Sequence, residues 1–414
     1  MAHRTTHLDS PFPWDAGVYD AHCHPTDTMA GVKDIPAMKA RGLAIMATRS
    51  QDQDLVAQVA QTHSKQDSTA MSQVDASRKL IIPAFGWHPW FSHQLRVDST
   101  SEKVTFEQKK AHYDAVLQPT PSEKNDNGFV AGLPDPRLLS SLIDSMREKL
   151  LAHPAAMVGE IGLDKAFKLP STAPAHPDMP TEEGVTPGGR EGRRLSPYRV
   201  KMDHQVAILK AQLALAGELG RPVSVHGVQA HGVLYDSLAS AWRGHEKEVI
   251  SKKKLKRVAP GAEDWSCSSE EEDELDWAED GMPVTKPKHK KEAHDKAVRR
   301  PLNLPYPPRI CLHSFSGPAQ VAKQYMKPTI PAEIFFSFSA CINLSNQDQM
   351  QRTKAVLETI PQDKILVESD LHTAGDSMDA ALEEVSRFVC SVKGWELRDG
   401  VERIGKNFTK FVHG

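Results

Sequence analysis

The chain has few cysteines, no excess of one charge and no long apolar run. Each of these absences excludes a class of protein. Its 414 residues include five cysteines, with no CxxC pair and no regular spacing: Cys23, Cys267, Cys311, Cys341 and Cys390. An odd, scattered set in a chain of this length is typical of reduced thiols, which excludes a disulfide-bonded framework.

Charge and hydropathy exclude further classes of protein. Lysine and arginine (51) nearly balance aspartate and glutamate (54), so no general basic field attracts nucleic acid. No apolar stretch reaches the about 18 residues that a membrane span requires. Residues 1–17 lack a basic segment followed by an apolar one, so we expect no signal peptide. These observations predict a protein of the cytoplasm, the nucleus or both.

Eight short, continuously apolar runs are typical of strands buried on both faces of a parallel sheet. They lie at residues 17–20, 43–47, 80–85, 156–159, 222–225, 310–312, 334–338 and 365–367. Helical patterns at 201–219, 318–327, 347–359 and 377–393 separate several of them. Strands alternating with helices predict an α/β protein built as a single (β/α)8 TIM-type barrel. Pro83, within the third run, argues against that strand.

Three polar segments interrupt this pattern, at about 92–136, 165–197 and 245–306. In the last, basic runs at 252–257 and 286–291 flank the acidic run 270–280. Such segments bury too little apolar surface to offset the entropy of ordering, so we expect loops or disorder there. Without them roughly 270 residues remain, close to the about 250 of one such barrel. The sequence therefore predicts one domain over residues 1–414 with three insertions.

Metal-type ligands stand where five of the predicted strands end. The six residues are His22, His24, Glu160, His226, His313 and Asp370. In a TIM-type barrel these ends meet at the rim where active sites lie. Each residue has an ordinary alternative: a surface or core position for the histidines, an arginine or lysine partner for Glu160, and a helix N-cap for Asp370. Together, four imidazoles and two carboxylates favour a site for two divalent cations, and hence a metal-dependent hydrolase.

Two more polar residues lie beside these ligands in the sequence. Asp20 comes just before His22, and we expect it to be buried behind the ligands or inside the barrel. His88 lies in the aromatic segment 85–91 at the end of the third predicted strand. It could contact a substrate phosphate or transfer a proton, or it could pack among the aromatic rings that cover the barrel.

Short motifs surround most of these residues. They are Asp20-Ala21-His22-Cys23-His24, Gly86-Trp87-His88-Pro89, Gly159-Glu160-Ile161-Gly162-Leu163-Asp164, Pro222-Val223-Ser224-Val225-His226, His313-Ser314-Phe315-Ser316-Gly317, Glu368-Ser369-Asp370 and Gly405-Lys406-Asn407-Phe408. With these motifs the chain resembles the TatD family of metal-dependent deoxyribonucleases, within the wider amidohydrolase-like barrels. The resemblance covers essentially the whole chain outside the insertions, and the insertions are similar to those of a fungal branch of TatD-like proteins.

The resemblance implies a TIM-type barrel that cleaves phosphodiester bonds, with DNA as its partner and a water activated by two divalent ions. By position, one ion would be held by His22, His24, Glu160 and Asp370, and the other by Glu160, His226 and His313. Glu160 would bridge the ions and Asp370 would act as general base, while His88 or His231 would contact a substrate phosphate. Four imidazoles suit Zn, Mn, Fe or Ni better than Mg, whereas the family suggests Mg, so the identity of the ion is left open, with Mg, Mn and Zn as the candidates.

Two departures from the family pattern concern the substrate. In the family, a basic residue usually comes soon after the fifth-strand histidine. It is missing here, since residues 227–231 read Gly-Val-Gln-Ala-His. The usual small residue and proline after the last aspartate are replaced by Leu371, His372 and Thr373. Both changes put the substrate and the rate in question more than metal binding.

Two other functions stay open. One is another metallohydrolase of the same superfamily that acts on an amide, a lactone or a deaminase substrate. Many such barrels carry a carboxylated lysine where this chain has Glu160, which favours a phosphoesterase here. The other is a non-catalytic protein that binds a protein partner through residues 245–306, although retention of all six ligand-type residues argues against lost catalysis.

Overall fold

The computed structural model describes residues 10–63, 79–97, 104–121, 127–172, 185–190, 192–249 and 303–414. Contacts separate residues 1–246 and 301–414 from residues 247–300. Of the second part, only residues 247–249 are described. The predicted insertion at 245–306, with its charged runs and its predicted protein partner, therefore lies almost wholly outside the described residues. The prediction of one domain with three insertions stays a prediction.

Eight parallel strands form one sheet in the order of the chain. They are β1 (Tyr19–Cys23), β2 (Gly42–Met46), β3 (Leu80–Phe85), β4 (Met157–Asp164), β5 (Val223–Val228), β6 (Arg309–Leu312), β7 (Glu333–Ser339) and β8 (Ile365–Glu368). Backbone hydrogen bonds join the two ends of the sheet: the N–H of Asp370 donates to the carbonyl of His22 (3.0 Å), and that of His24 to Leu371 (2.8 Å). The predicted (β/α)8 TIM-type barrel is confirmed.

Both faces of the strands are buried, which explains why the runs are continuously apolar. Along β2, Leu43 and Ile45 belong to the large core between sheet and helices, whereas Ala44 belongs to a smaller core inside the barrel. Successive side chains of a strand point to opposite faces, so both sets have to be apolar. Pro83 is accommodated within β3, just before the point where pairing with β4 begins at Ala84.

Helices and 3-10 turns fill the connections between the strands. The helices are α1 (Gln53–His63), α2 (Phe106–Val116), α3 (Asn127–Gly132), α4 (Leu139–Ala152), α5 (Met202–Glu218), α6 (His231–Trp242), α7 (Ala319–Tyr325), α8 (Ala340–Asn343), α9 (Gln347–Thr359), α10 (Asp376–Lys393) and α11 (Leu397–His413). The 3-10 segments are Trp14–Ala16, Pro25–Asp27, Met29–Ala37, Pro89–Gln94 and Gln362–Lys364. Within the described residues, no helix has both the length and the apolar content needed to cross a membrane.

The last helix, α11, closes the amino-terminal end of the barrel. Phe408, Phe411 and Val412 belong to the same inner core as the strand residue Phe335. Tyr19, at the start of β1, stacks on Phe408 with ring centroids 4.8 Å apart. One end of the barrel is therefore filled with apolar side chains, which leaves the carboxyl ends of the strands as the open rim.

The insertion at 92–136 is more regular than the sequence predicted. It contains α2 and α3, and its short strand Leu117–Gln118 pairs antiparallel with Arg199–Val200. Tyr113 of α2 is fully buried in a separate small core that includes Leu169 and Tyr198. The expectation of loops or disorder is wrong for these helices, because part of the core that orders them comes from Leu169, Tyr198 and Val200, far along the chain.

Candidate metal centre

The six predicted ligands come together at the carboxyl ends of the strands. They are His22, His24, Glu160, His226, His313 and Asp370, and they surround the carboxylate of Glu160. Their side chains are buried, and Asp370 is the most accessible at 15% exposure. The convergence follows from the topology, since parallel strands in chain order place all their carboxyl ends at one rim.

One oxygen of Glu160 faces the two histidines of the first strand. Glu160 Oε2 lies 3.4 Å from His22 Nε2 and 3.3 Å from His24 Nε2. The two nitrogens are 3.1 Å apart. Asp370 Oδ1 approaches from β8, at 3.6 Å from His24 Nε2 and 4.0 Å from His22 Nε2. Two nitrogens and two oxygens therefore surround one small volume.

The other oxygen of Glu160 faces a second pair of histidines. Glu160 Oε1 lies 2.9 Å from His226 Nδ1 and 2.8 Å from His313 Nε2. These two nitrogens are also 3.1 Å apart. Each oxygen of the carboxylate thus faces two imidazoles of the predicted ligands, and Oε1 also lies 3.1 Å from His88 Nε2.

The backbone of β4 is shaped to present this carboxylate. The pairing of β4 with β5 shifts register between Val158 and Ile161, and such irregularities re-aim side chains. Gly162 has a positive φ of 152°. A Cβ at this position would lie 2.1 Å from the carbonyl oxygen of His226, so only glycine fits between the two strands. The strand also continues through Asp164, beyond the predicted run.

Charges around the two carboxylates hold them ionised. Burial alone would raise the pKa of Glu160, but its interactions with the surrounding imidazoles hold that pKa well below its usual range. The pKa of Asp370 is also lowered, because its hydrogen bond with His24 and the nearby imidazoles outweigh its burial. The centre therefore combines two anionic carboxylates with four imidazoles.

In three of the four predicted ligand histidines, the ring nitrogen that faces away from Glu160 contacts a side chain that sequence reasoning missed. The pairs are His22 Nδ1 with Ser224 Oγ (2.8 Å), His226 Nε2 with Asp164 Oδ2 (3.2 Å) and His313 Nδ1 with Glu368 Oε1 (3.4 Å). Partners of this kind fix the tautomer and the orientation of metal-binding imidazoles.

Asp20 supports the same centre from behind. Its Oδ1 accepts hydrogen bonds from the backbone N–H of His22 and Ser369, and burial raises the pKa of its carboxyl to about 7. Asp20, Ser224 and Glu368 each stand two residues before a predicted ligand, and Ser224 shares one face of β5 with His226. That period-two spacing is the signal in the sequence that could have identified Ser224 and Glu368.

The two histidines predicted to contact substrate lie in different places. The N–H of Trp90 donates to His88 Nδ1 (3.2 Å), so the neutral ring carries its proton on Nε2 and donates to Glu160 Oε1, 3.1 Å away. Burial lowers the pKa of His88 to about 4. His231 is half-buried at the start of α6, with its ring 5.9 Å from that of Phe315, and it is not among the described residues grouped around Glu160. Substrate contact by either residue stays a prediction.

The residues present fit divalent cations. The groups close enough to share one ion include His22, His24 and Asp370, and also His22, Glu160 and His313. His24 Nδ1 is buried without a hydrogen-bond partner, which leaves the orientation of this ring to be fixed by what its Nε2 binds. Mixed imidazole and carboxylate sets suit Zn, Mn or Fe. The centre can therefore hold metal.

Comparison with known proteins agrees with this chemistry. The family model described as TatD related DNase matches residues 19–252 and 283–413. Cut9-interacting protein scn1 of Schizosaccharomyces pombe is 33% identical over 396 residues, covering 95% of this chain and 98% of the relative. An uncharacterized deoxyribonuclease of Saccharomyces cerevisiae is 25% identical over 407 residues, with the same shares of coverage.

The solved structures that match this chain have lower sequence identity to it. A TatD homologue from Escherichia coli is 14% identical with a TM-score of 0.47, over 95% of this chain and 97% of that one. An uncharacterized amidohydrolase from Saccharomyces cerevisiae is 13% identical with a TM-score of 0.49, over 97% of this chain and 100% of that one.

Proposed function

The chain belongs to the TatD-related DNase family of metal-dependent hydrolases, and on that premise we propose that it is a deoxyribonuclease that uses two divalent ions. The observation that carries this proposal is the position of Glu160, whose two oxygens face separate imidazole pairs at 2.8–3.4 Å. Two ions bridged in this way would lower the pKa of an attacking water and stabilise the attacking and leaving oxygens of a phosphodiester.

The chain's own residues divide the remaining work. Under this proposal His22, His24, Glu160 and Asp370 would hold one ion, and Glu160, His226 and His313 would hold the other. Asp370 would accept a proton from water at the rim, since it is the most accessible of the six side chains at 15% exposure. Its Oδ2 lies 3.3 Å from Ser314 Oγ, the hydroxyl that donates to Glu368 Oε1. His88 holds Glu160 in place by donating to its Oε1.

Glu160 also separates this proposal from the small-molecule alternative. A barrel that uses a carboxylated lysine as its bridge would need lysine on β4, and this chain has glutamate at that position. The relative from Schizosaccharomyces pombe is named for an interaction with Cut9, which supports testing residues 245–306 for a protein partner. We also propose that the protein is located in the cytoplasm, the nucleus or both. The ion is left open among Mg, Mn and Zn.

The test is metal content and DNA cleavage by purified protein. The protein is stripped with chelator, reloaded with Mg, Mn or Zn, and incubated with labelled oligodeoxynucleotides. We expect metal-dependent cleavage by the wild type. We expect Glu160→Gln to bind less metal and to lose about 1000-fold or more in rate, since metal catalysis contributes several kcal/mol. Glu384→Gln, on the exposed face of α10, is the matched control and retains both properties.

Two results would overturn the proposal. Full metal-stimulated cleavage by Glu160→Gln would remove the bridging role. Failure of the metal-loaded wild type to cleave any phosphodiester, together with turnover of an amide, lactone or deaminase substrate, would assign the chain to the other branch of the superfamily.

A further inference from the structure

A partly exposed aromatic pair lies beside the metal centre. Trp90, in the 3-10 segment that follows β3, and Phe167, just after β4, stack with ring centroids 4.6 Å apart and planes 11° from parallel. Trp90 is 37% exposed, which places it among the exposed large hydrophobic residues of the described chain. Ligand sites are commonly lined by aromatic side chains, so this pair is a candidate for substrate contact.

The pair is directly connected to the ligands. The ring of Trp90 lies 4.7 Å from that of His88 and 6.2 Å from that of His226. Trp90 Nε1 donates to Asp164 Oδ2 (2.7 Å), the same oxygen that lies 3.2 Å from His226 Nε2. A molecule held against Trp90 is therefore within a few ångströms of the centre.

The same carboxylate fixes both aromatic residues. Asp164 Oδ1 accepts hydrogen bonds from the backbone N–H of Ala166 (2.7 Å) and Phe167 (2.9 Å), while its other oxygen holds the indole. Asp164 is itself only 6% exposed. A stacked pair whose two members are anchored to one buried side chain is built into the site, and its ordering cost has been met before any ligand binds.

We propose that Trp90 and Phe167 form a base-stacking subsite that positions a nucleobase of the substrate next to the phosphodiester to be cleaved. Every nucleobase has a flat π-face, and stacking on aromatic side chains is how proteins hold unpaired bases without reading their sequence. Lys165 is exposed and Lys168 partly exposed on either side of Phe167 in the chain, where they can contact neighbouring phosphates. The inference rests on the proposed nuclease function, and it adds two residues that position substrate without touching the ions.

The experiment compares two substrates that differ only in their bases. One is a labelled oligothymidylate, and the other is a strand of equal length with baseless tetrahydrofuran sugars throughout. The measured quantity is the ratio of kcat/KM for the two strands. We expect the wild type to prefer the thymidine strand by about 5- to 100-fold, mostly through a lower KM.

Variants then separate stacking from other roles of the pair. Trp90→Phe and Trp90→Leu both lose the hydrogen bond to Asp164, but only Trp90→Phe retains an aromatic ring. We expect the ratio to stay near the wild-type value in Trp90→Phe and to fall toward one in Trp90→Leu. Phe167→Leu leaves the indole hydrogen bond in place and should lower the ratio as well. Thermal midpoint and bound metal are measured for each variant.

The outcomes distinguish this inference from the nuclease proposal. If wild type cleaves DNA but Trp90→Leu and Phe167→Leu keep the wild-type ratio, the stacking subsite is refuted and the nuclease survives. Equal loss of ratio in Trp90→Phe and Trp90→Leu would assign the effect to the Asp164 hydrogen bond, which also refutes stacking. If the wild type cleaves neither strand, the proposed function itself is wrong.

Discussion

The two ends of this barrel both contain fully buried side chains, but the chemistry of those side chains is opposite. At the amino end, the rings of Phe335 and Phe411 lie 5.4 Å apart and both are fully buried. At the carboxyl end, the fully buried positions include Asp20, His22 and Glu368. The same sheet thus supports an apolar plug at one end and an enclosed polar cluster at the other.

The difference extends to the satisfaction of polar atoms. At the amino end the guanidinium of Arg309 donates to the carbonyls of Phe411 and Val412. At the carboxyl end, Asp20 Oδ2 and Glu368 Oε2 are buried without hydrogen-bond partners. Unpaired buried polar atoms cost free energy. The ligand-type residues lie at one end of the barrel and an apolar core lies at the other, which allows chemistry and stability to be disturbed separately.

The largest expected effect is at the amino end, on stability alone. Phe411→Ala removes a fully buried ring from the inner core. Truncation of a buried phenylalanine leaves a cavity and costs about 3–5 kcal/mol in the free energy of unfolding. Urea unfolding measures this loss, while bound metal and kcat of the folded protein should stay at wild-type values. If Phe411→Ala lost bound metal but kept its stability, the two ends would not be separable in this way.

A smaller effect is expected at the carboxyl end, on metal affinity. Glu368 Oε1 accepts hydrogen bonds from the N–H (2.7 Å) and Oγ (2.6 Å) of Ser314 and lies 3.4 Å from His313 Nδ1. Removing such a partner typically weakens metal binding by about 10- to 100-fold, so we expect this of Glu368→Ala. Competition with a metal-sensitive chelator dye measures the change.

The matched control for this variant is a glutamate at the other end of the same sheet. Glu333, at the start of β7, pairs with Lys364 (2.6 Å) and with Lys410. Glu333→Ala removes a partly exposed ion pair, which is worth little, and should leave the metal affinity unchanged. Equal weakening by both variants would show that the affinity follows general stability rather than the partner of His313.

The sequence predicted the strands and the convergence of the six ligand-type residues, because both depend on local patterns. A run buried on both faces is apolar throughout, and a ligand at its end is brought to the rim by the topology. The partners across the barrel were harder to predict. Asp164 meets Trp90 and His226 only in three dimensions, and nothing near position 164 indicates either contact.

The insertion shows the same limit for secondary structure. Helix α2 is mostly polar, and its buried residues include Tyr113 and Val116, which pack against Leu169 and Tyr198. A helix with so few apolar positions resembles a loop when only its own residues are considered. Its order comes from contacts with a distant segment, which overrides the local composition.

The smallest effect we predict concerns a polar residue within the apolar end. The amide nitrogen of Asn407 donates to the carbonyls of Gln362 (2.8 Å) and Ile365 (2.9 Å), so it joins α11 to the start of β8. Asn407→Ala leaves both carbonyls without this donor and should lower the free energy of unfolding by about 1–2 kcal/mol. Asn407→Asp should lower it further, because a carboxylate then faces two carbonyl oxygens.

Lys406→Ala, at the exposed neighbouring position, should stay within about 0.5 kcal/mol of wild type. If urea unfolding gave Asn407→Asp the stability of the wild type, the amide would not be what holds α11 to the barrel, and the apolar rings alone would close the amino end.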